Sequence, residues 1–150
     1  MEAITGFIEK LNLEKLVPNL QVLLGHMKHI TRSAMLLGPA VMLILGLLYL
    51  FAPPREANRK FGFRTYFGMG SVEAWRFTQR IAGFVFSGMG LVLGIVMLII
   101  SGKFGSGDAM AMMMSAVKCL MWQVILTAAA CIGISAASAV MFDKNGIRRR

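Results

Sequence analysis

From Ile81 to Ile100 the chain reads IAGFVFSGMGLVLGIVMLII, with Arg80 before it and Lys103 shortly after. No charge interrupts the run. A helix needs about 20 apolar residues to cross the hydrocarbon core of a bilayer, and this stretch supplies them. Two more runs meet the same test. One lies between Arg32 and Arg55, with its apolar core from Ala34 to Phe51. The other lies between Lys118 and Asp143, from Cys119 to Phe142. Spans are therefore expected at about 34–52, 81–100 and 119–142. The expected fold class is an all-α membrane protein with three transmembrane helices and an amphipathic N-terminal helical segment. Gly38-Pro39 inside the first run is expected to bend that helix, with a neighbouring helix satisfying the freed carbonyl. Tyr49, Phe51, Trp75, Trp122 and Phe142 lie near span ends, where aromatic rings favour the interface.

The composition agrees. The chain has 150 residues, 57% of them hydrophobic and 15% charged, with a mean hydropathy of +0.67. A soluble domain carries about a quarter charged residues and could not cover its apolar surface with so few. Disorder, a collagen-like chain and a disulfide scaffold are excluded by the same figures. The net charge of +9 places basic residues beside uncharged runs. That arrangement points to anionic lipid headgroups rather than to nucleic acid. Cys119 and Cys131 lie about 18 Å apart along one helix and cannot bond to each other within it.

Residues 1–32 form a separate amphipathic segment in this reading, followed by a membrane domain over 33–150. Ile4, Phe7, Ile8 and Leu11 share a helical face, and Leu13, Leu16, Val17 and Leu20 continue it in a shifted phase. Glu9, Lys10, Glu14 and Lys15 keep the segment from spanning. Pro18 is expected to divide it into two short helices. The segment either lies on the membrane surface or packs on the protein's own spans or on a second copy. It does not read as a secretory signal, because Glu2 stands in place of a basic start and no basic residue precedes Lys10.

Orientation follows from lysine and arginine positions. Arg55, Arg59, Lys60, Arg64, Arg76 and Arg80 share one side with Lys144, Arg148, Arg149 and Arg150. Lys10, Lys15, Lys28, Arg32, Lys103 and Lys118 lie on the other. Ten against six predicts the N-terminus outside and the C-terminus in the cytoplasm.

Between the first two spans, Pro53-Pro54 ends one helix and Gly68 and Gly70 make a turn. Ser71 is the expected N-cap of the next helix, which starts near Val72 with Glu73 in its first turn and Trp75 as an interfacial anchor. The Pro53-Pro54 pair, Asn58, Gly62-Phe63-Arg64-Thr65, Glu73 and Trp75 at this spacing resemble the SdpI family of bacterial membrane proteins. The resemblance covers roughly residues 45–94 and the three-span layout. Two positions depart from it. Phe63 stands where the family has tyrosine, and Thr78-Gln79 stand where it often has Ala-Asn. The founding member has six spans, and this chain resembles the half that bears the motif. The resemblance implies immunity to a secreted toxin and recruitment of a regulator to the membrane, in the plasma membrane of a bacterium.

Within the motif, Arg64 can grip a carboxylate, a phosphate or several carbonyls. Asn58, Gly62, Phe63, Arg64, Thr65 and Trp75 form the candidate ligand or partner site, with Asn58, Thr65 and Trp75 positioning the guanidinium. The plainer reading is that Arg64 pins the loop to helix ends. Gly83, Ser87, Gly90 and Gly94 in span two, and Ala129, Gly133 and Ala137 in span three, have the spacing of close helix packing. They are expected to pack these two spans together, or to join copies of the chain.

No cofactor and no metal site is expected. Met110, Met112, Met113 and Met114, with Cys119 and Met121, carry soft donors but read as apolar filler. His26 and His29 share a helix face without a third ligand. There is no nucleophile–base set, phosphate loop or zinc spacing, and no carboxylate inside a span, so neither an enzyme nor a proton relay is expected. The remaining functions are binding ones. The first is immunity or sensing through a peptide toxin or regulator. The alternative is an accessory or structural subunit of a larger membrane complex, and an oligomeric small-molecule or lipid transporter ranks last.

Overall fold

In lipid, backbone polar groups have no water to bond, so each apolar run must close its hydrogen bonds within a helix. The computed structural model describes residues 13–55, 61–103 and 109–149. It contains three long helices, α1 (Leu13–Phe51), α2 (Val72–Gly102) and α3 (Ala109–Met141). All three are long and apolar enough to cross a membrane. Each exceeds its predicted span because charged residues at a helix end can stand beyond the hydrocarbon.

α1 departs most from expectation. It runs unbroken through Pro18, which therefore divides nothing. The missing N–H leaves the helix without one backbone bond, to the carbonyl four residues earlier. The boundary drawn between residues 32 and 33 lies inside this helix. At 1.5 Å per residue α1 is about 58 Å long, roughly twice the hydrocarbon thickness. The part from Leu13 to Arg32 is thus helical and continuous with the first span. Ile4, Phe7, Ile8 and Leu11 lie outside the described residues.

The core is a seam between α1 and α2. On α1 the buried positions are Met35, Pro39, Met42, Gly46 and Tyr49, spaced four, three, four and three. That repeat keeps one narrow face on a partner helix. On α2 the buried face includes Trp75, Gln79, Ala82, Phe86, Gly90, Leu93 and Met97. Met42, Tyr49, Ala82, Phe86, Leu93 and Ile134 form one apolar cluster, and Met35, Met97, Met112 and Ala116 a second. Met112 is thus packed as core, whereas Met113 and Met114 are exposed.

The small residues of α2 pack on α1, not on α3 as their spacing suggested. A Cβ at Gly83 would run into the side chain of Leu50, and one at Gly90 into the backbone of Leu43 and Pro39. Gly46 of α1 completes the contact, sitting against the backbone of Phe86 and Ser87. On α3, Ala129 and Gly133 are exposed, and a Cβ at Gly133 would meet open space. Small residues permit close approach, but their spacing alone does not name the partner.

α3 adds polar ties to the apolar contacts of Met112, Ala116 and Ile134. Pro39 has no N–H to offer the Met35 carbonyl one turn earlier. Gln123 of α3 supplies the missing donor, with its Nε2 2.9 Å from that oxygen in a buried site. Thr78 of α2 and Ser138 of α3 share a buried hydroxyl–hydroxyl bond of 2.9 Å. Gln123→Leu is expected to cost roughly 1–2 kcal/mol by orphaning the carbonyl. Pro39→Ala restores the helical donor, so the double variant should recover most of that loss. Thermal unfolding of the four proteins in detergent checks this, and simple additivity would refute the link.

Candidate functional site

The loop between α1 and α2 is built on the first turns of α2. Ser71 caps that helix as its spacing predicts, its Oγ accepting from the Ala74 N–H at 3.1 Å, and Glu73 follows in the first turn. Buried side chains at Trp75, Thr78 and Gln79 then form a platform on which the chain from Gly62 to Gly68 lies. Gln79, with no exposed surface, makes the main attachment. Its Oε1 accepts from the Phe63 N–H at 2.9 Å, and its Nε2 donates to the Phe63 carbonyl at 2.7 Å. One side-chain amide thus pairs with both polar groups of one backbone residue, much as a neighbouring strand would.

The motif residues each have a place in this arrangement. Gly62 has φ of 118°, in the left-handed region, and a Cβ there would strike the Trp75 ring. Trp75 is fully buried, and its Nε1 donates to the Pro54 carbonyl at 2.9 Å. It is therefore a clamp between the proline pair and the loop, not an interfacial anchor. An indole sealed under Gly62 has no surface left for headgroups. Phe63 packs edge-on against Phe86, with ring centroids 5.5 Å apart, which suits a ring without a hydroxyl. Thr65 is buried and its Oγ1 accepts from the Gly68 N–H at 2.9 Å. Arg64 is exposed between these fixed neighbours, and Tyr66 is exposed beyond it. The structure thus gathers Gly62, Phe63, Thr65 and Trp75 into one unit with Arg64 at its surface. Asn58, with Arg59 and Lys60, lies outside the described residues.

The tail joins the same face. Asp143 Oδ1 accepts from the N–H groups of Asn145 and Ile147 at 2.9 and 2.8 Å, folding the chain into a turn. Gly146 at the turn has φ of 73°. Its carbonyl accepts a 2.8 Å bond from Ser71 Oγ, so the residue that caps α2 also holds the tail. Gly70 and Gly146 touch so closely that a Cβ on either would enter the other's backbone. Phe142 is buried against Phe77, with ring centroids 5.2 Å apart, and so is not at the interface as its position suggested. Trp122 and Phe51 are exposed, as residues facing lipid or headgroups would be.

The residues that do most to build this face were not singled out from the sequence. Gln79 was noted only as a departure, and Thr78 likewise. A signal was available: two polar residues on the apolar face of a helix, adjacent to Trp75, are costly unless each has a defined partner. Asp143 and Gly146 carried no comparable signal, because an Asp-x-x-Gly turn at a chain end is common.

Residues 55–140 match the SdpI/YfhL protein family, a stretch that begins just after the proline pair and includes the rest of the motif loop, α2 and nearly all of α3. The chain belongs to this family. The uncharacterized protein YfhL of Bacillus subtilis (strain 168) is 35% identical over 66 residues. That alignment covers 39% of this chain and 60% of the relative's length. No solved structure matches the chain. From Gly62 to Trp75 the SdpI/YfhL motif is thus a folded unit, held by Gln79 and closed by the tail, in a multi-pass membrane protein.

Proposed function

We propose that this protein works by binding and carries out no chemistry. In this reading the motif face recognises a membrane-active peptide or a regulator, giving immunity or reporting the peptide's presence. The observation that carries it is the pair of hydrogen bonds between the Gln79 amide and the Phe63 backbone. It holds the neighbouring Arg64 on a fixed loop, so binding costs little loop ordering. The protein would sit in a bacterial plasma membrane with the N-terminus outside and the motif face and tail in the cytoplasm. A peptide acting there must first cross or enter the bilayer, or its presence must be passed to a cytoplasmic regulator.

The test is survival of sensitive bacteria expressing the chain and challenged with a panel of membrane-active peptides of differing charge. Wild type should raise survival at least tenfold against one of them. Arg64→Lys should lose most of that protection at unchanged protein level, since lysine cannot make a bidentate contact. Full protection by Arg64→Lys would remove Arg64 from the reading. No protection by wild type against any peptide, with no partner crosslinked to the loop, would remove immunity and sensing together.

An accessory-subunit role is the second reading, favoured by α3. This helix buries little of its surface, and its Ala129 and Gly133 face is open. Recovery of a stable larger complex through gentle solubilisation would support it over the first.

A further inference from the structure

Where α1 ends, Pro53-Pro54 turn the chain and Arg55 follows. Arg76 and Arg80 stand one turn apart on α2. With Tyr49 and the two prolines these arginines line a cleft of about 170 Å³ that, among the described residues, has no carboxylate in its lining. All three guanidinium side chains are exposed at its opening. Among the described residues none of the three has a hydrogen bond or ion pair, and neither does the hydroxyl of Tyr49, a residue only 8% exposed. Three like charges brought together from two elements repel one another unless an anion lies between them. The level is also suitable. The charge-free run of α2 begins directly after Arg80, and that of α1 ends directly before Arg55, so the cleft opens at the headgroup layer.

We propose that this cleft is a phosphate-binding site. Arg55, Arg76 and Arg80 hold the phosphate oxygens, and Tyr49 contributes its hydroxyl from the wall. Arginine forks suit this task because two parallel N–H groups match two phosphate oxygens. The phosphate belongs either to an acidic phospholipid headgroup or to a free phosphate ion, which have this chemistry in common. The site is separate from the Arg64 surface and does not depend on peptide recognition there.

The experiment uses the full chain in an uncharged maltoside detergent. One arm adds phosphatidylglycerol and reads retained lipid by native mass spectrometry. The other titrates inorganic phosphate and reads the melting temperature. Arg76→Gln/Arg80→Gln is compared with Arg148→Gln/Arg149→Gln, which removes the same charge from the exposed tail. Wild type and the tail variant should retain one phosphatidylglycerol, and the cleft variant should lose retention by roughly fivefold per arginine removed. If only inorganic phosphate binds, and only the cleft variant loses its melting shift, the ligand is the free ion and the site stands. Equal loss in both double variants would mean general charge attraction, and no loss in the cleft variant, or no binding of either probe to wild type, would equally overturn the site. Should the cleft variant fail to fold, Arg55→Gln is read in its place, since it lies outside every helix. It should lose about fivefold, and unchanged retention overturns the proposal.

Discussion

Gly46→Ala is expected to destabilise the protein by roughly 2–4 kcal/mol, although alanine is the better helix former by about 1 kcal/mol. The reason is what surrounds the position. A Cβ there would enter the backbone of Ser87 and Phe86, and backbone cannot swing aside as a side chain can. The two helices would have to separate. That would also loosen the neighbouring contacts of Gly83 with Leu50 and of Gly90 with Leu43. Gly88 is the control. It lies two positions from Gly90 on the same helix, and a Cβ there meets nothing. Gly88→Ala should be neutral or stabilise by up to about 1 kcal/mol. The pair therefore differs in sign, which a general effect of glycine removal would not give. Unfolding midpoints in a fixed detergent mixture measure both, and a stabilising Gly46→Ala would mean the α1–α2 seam is wrongly drawn.

The second large effect concerns Gln79. Leucine at this position keeps the bulk but strips both partners from the Phe63 backbone. Each part-buried group then lacks its bond, and the loss should total about 2 kcal/mol. It falls on the loop, not on the bundle, because the apolar clusters do not include Gln79. The loop's open population should rise about thirtyfold, since every 1.4 kcal/mol is a factor of ten. Trypsin cleavage after Arg64 reports that population when opening is fast relative to cleavage. Equal cleavage of wild type and Gln79→Leu would show that something other than this amide holds the motif.

The sequence was most informative where a single residue type is enough to decide the outcome. Ser71 before Val72, with Glu73 following, marks a helix start whatever lies around it. The prolines after the first span end that helix by their own chemistry. The motif from Pro53 to Trp75 carried the family, and the family match agrees. Arg64 was legible as a cation between Phe63 and Thr65 that can grip an anion or carbonyls. Trp75 and Thr65 direct polar groups to Pro54 and Gly68, pairings that no local pattern announces.

By itself the sequence determined how many times the chain meets the bilayer, where α2 begins, and which loop bears the family motif. Each follows from local composition, since leaving water and starting a helix depend on a few consecutive residues. Only the tertiary structure decided that Gly83 and Gly90 of α2 face α1, that Gln123 repairs the gap left by Pro39, and that the tail docks on Ser71. In lipid, a residue that faces a neighbouring helix and one that faces acyl chains are equally apolar, so hydropathy cannot distinguish them. The choice of partner rests on shape and on a few polar atoms far apart in the chain, which become neighbours only after the helices have packed.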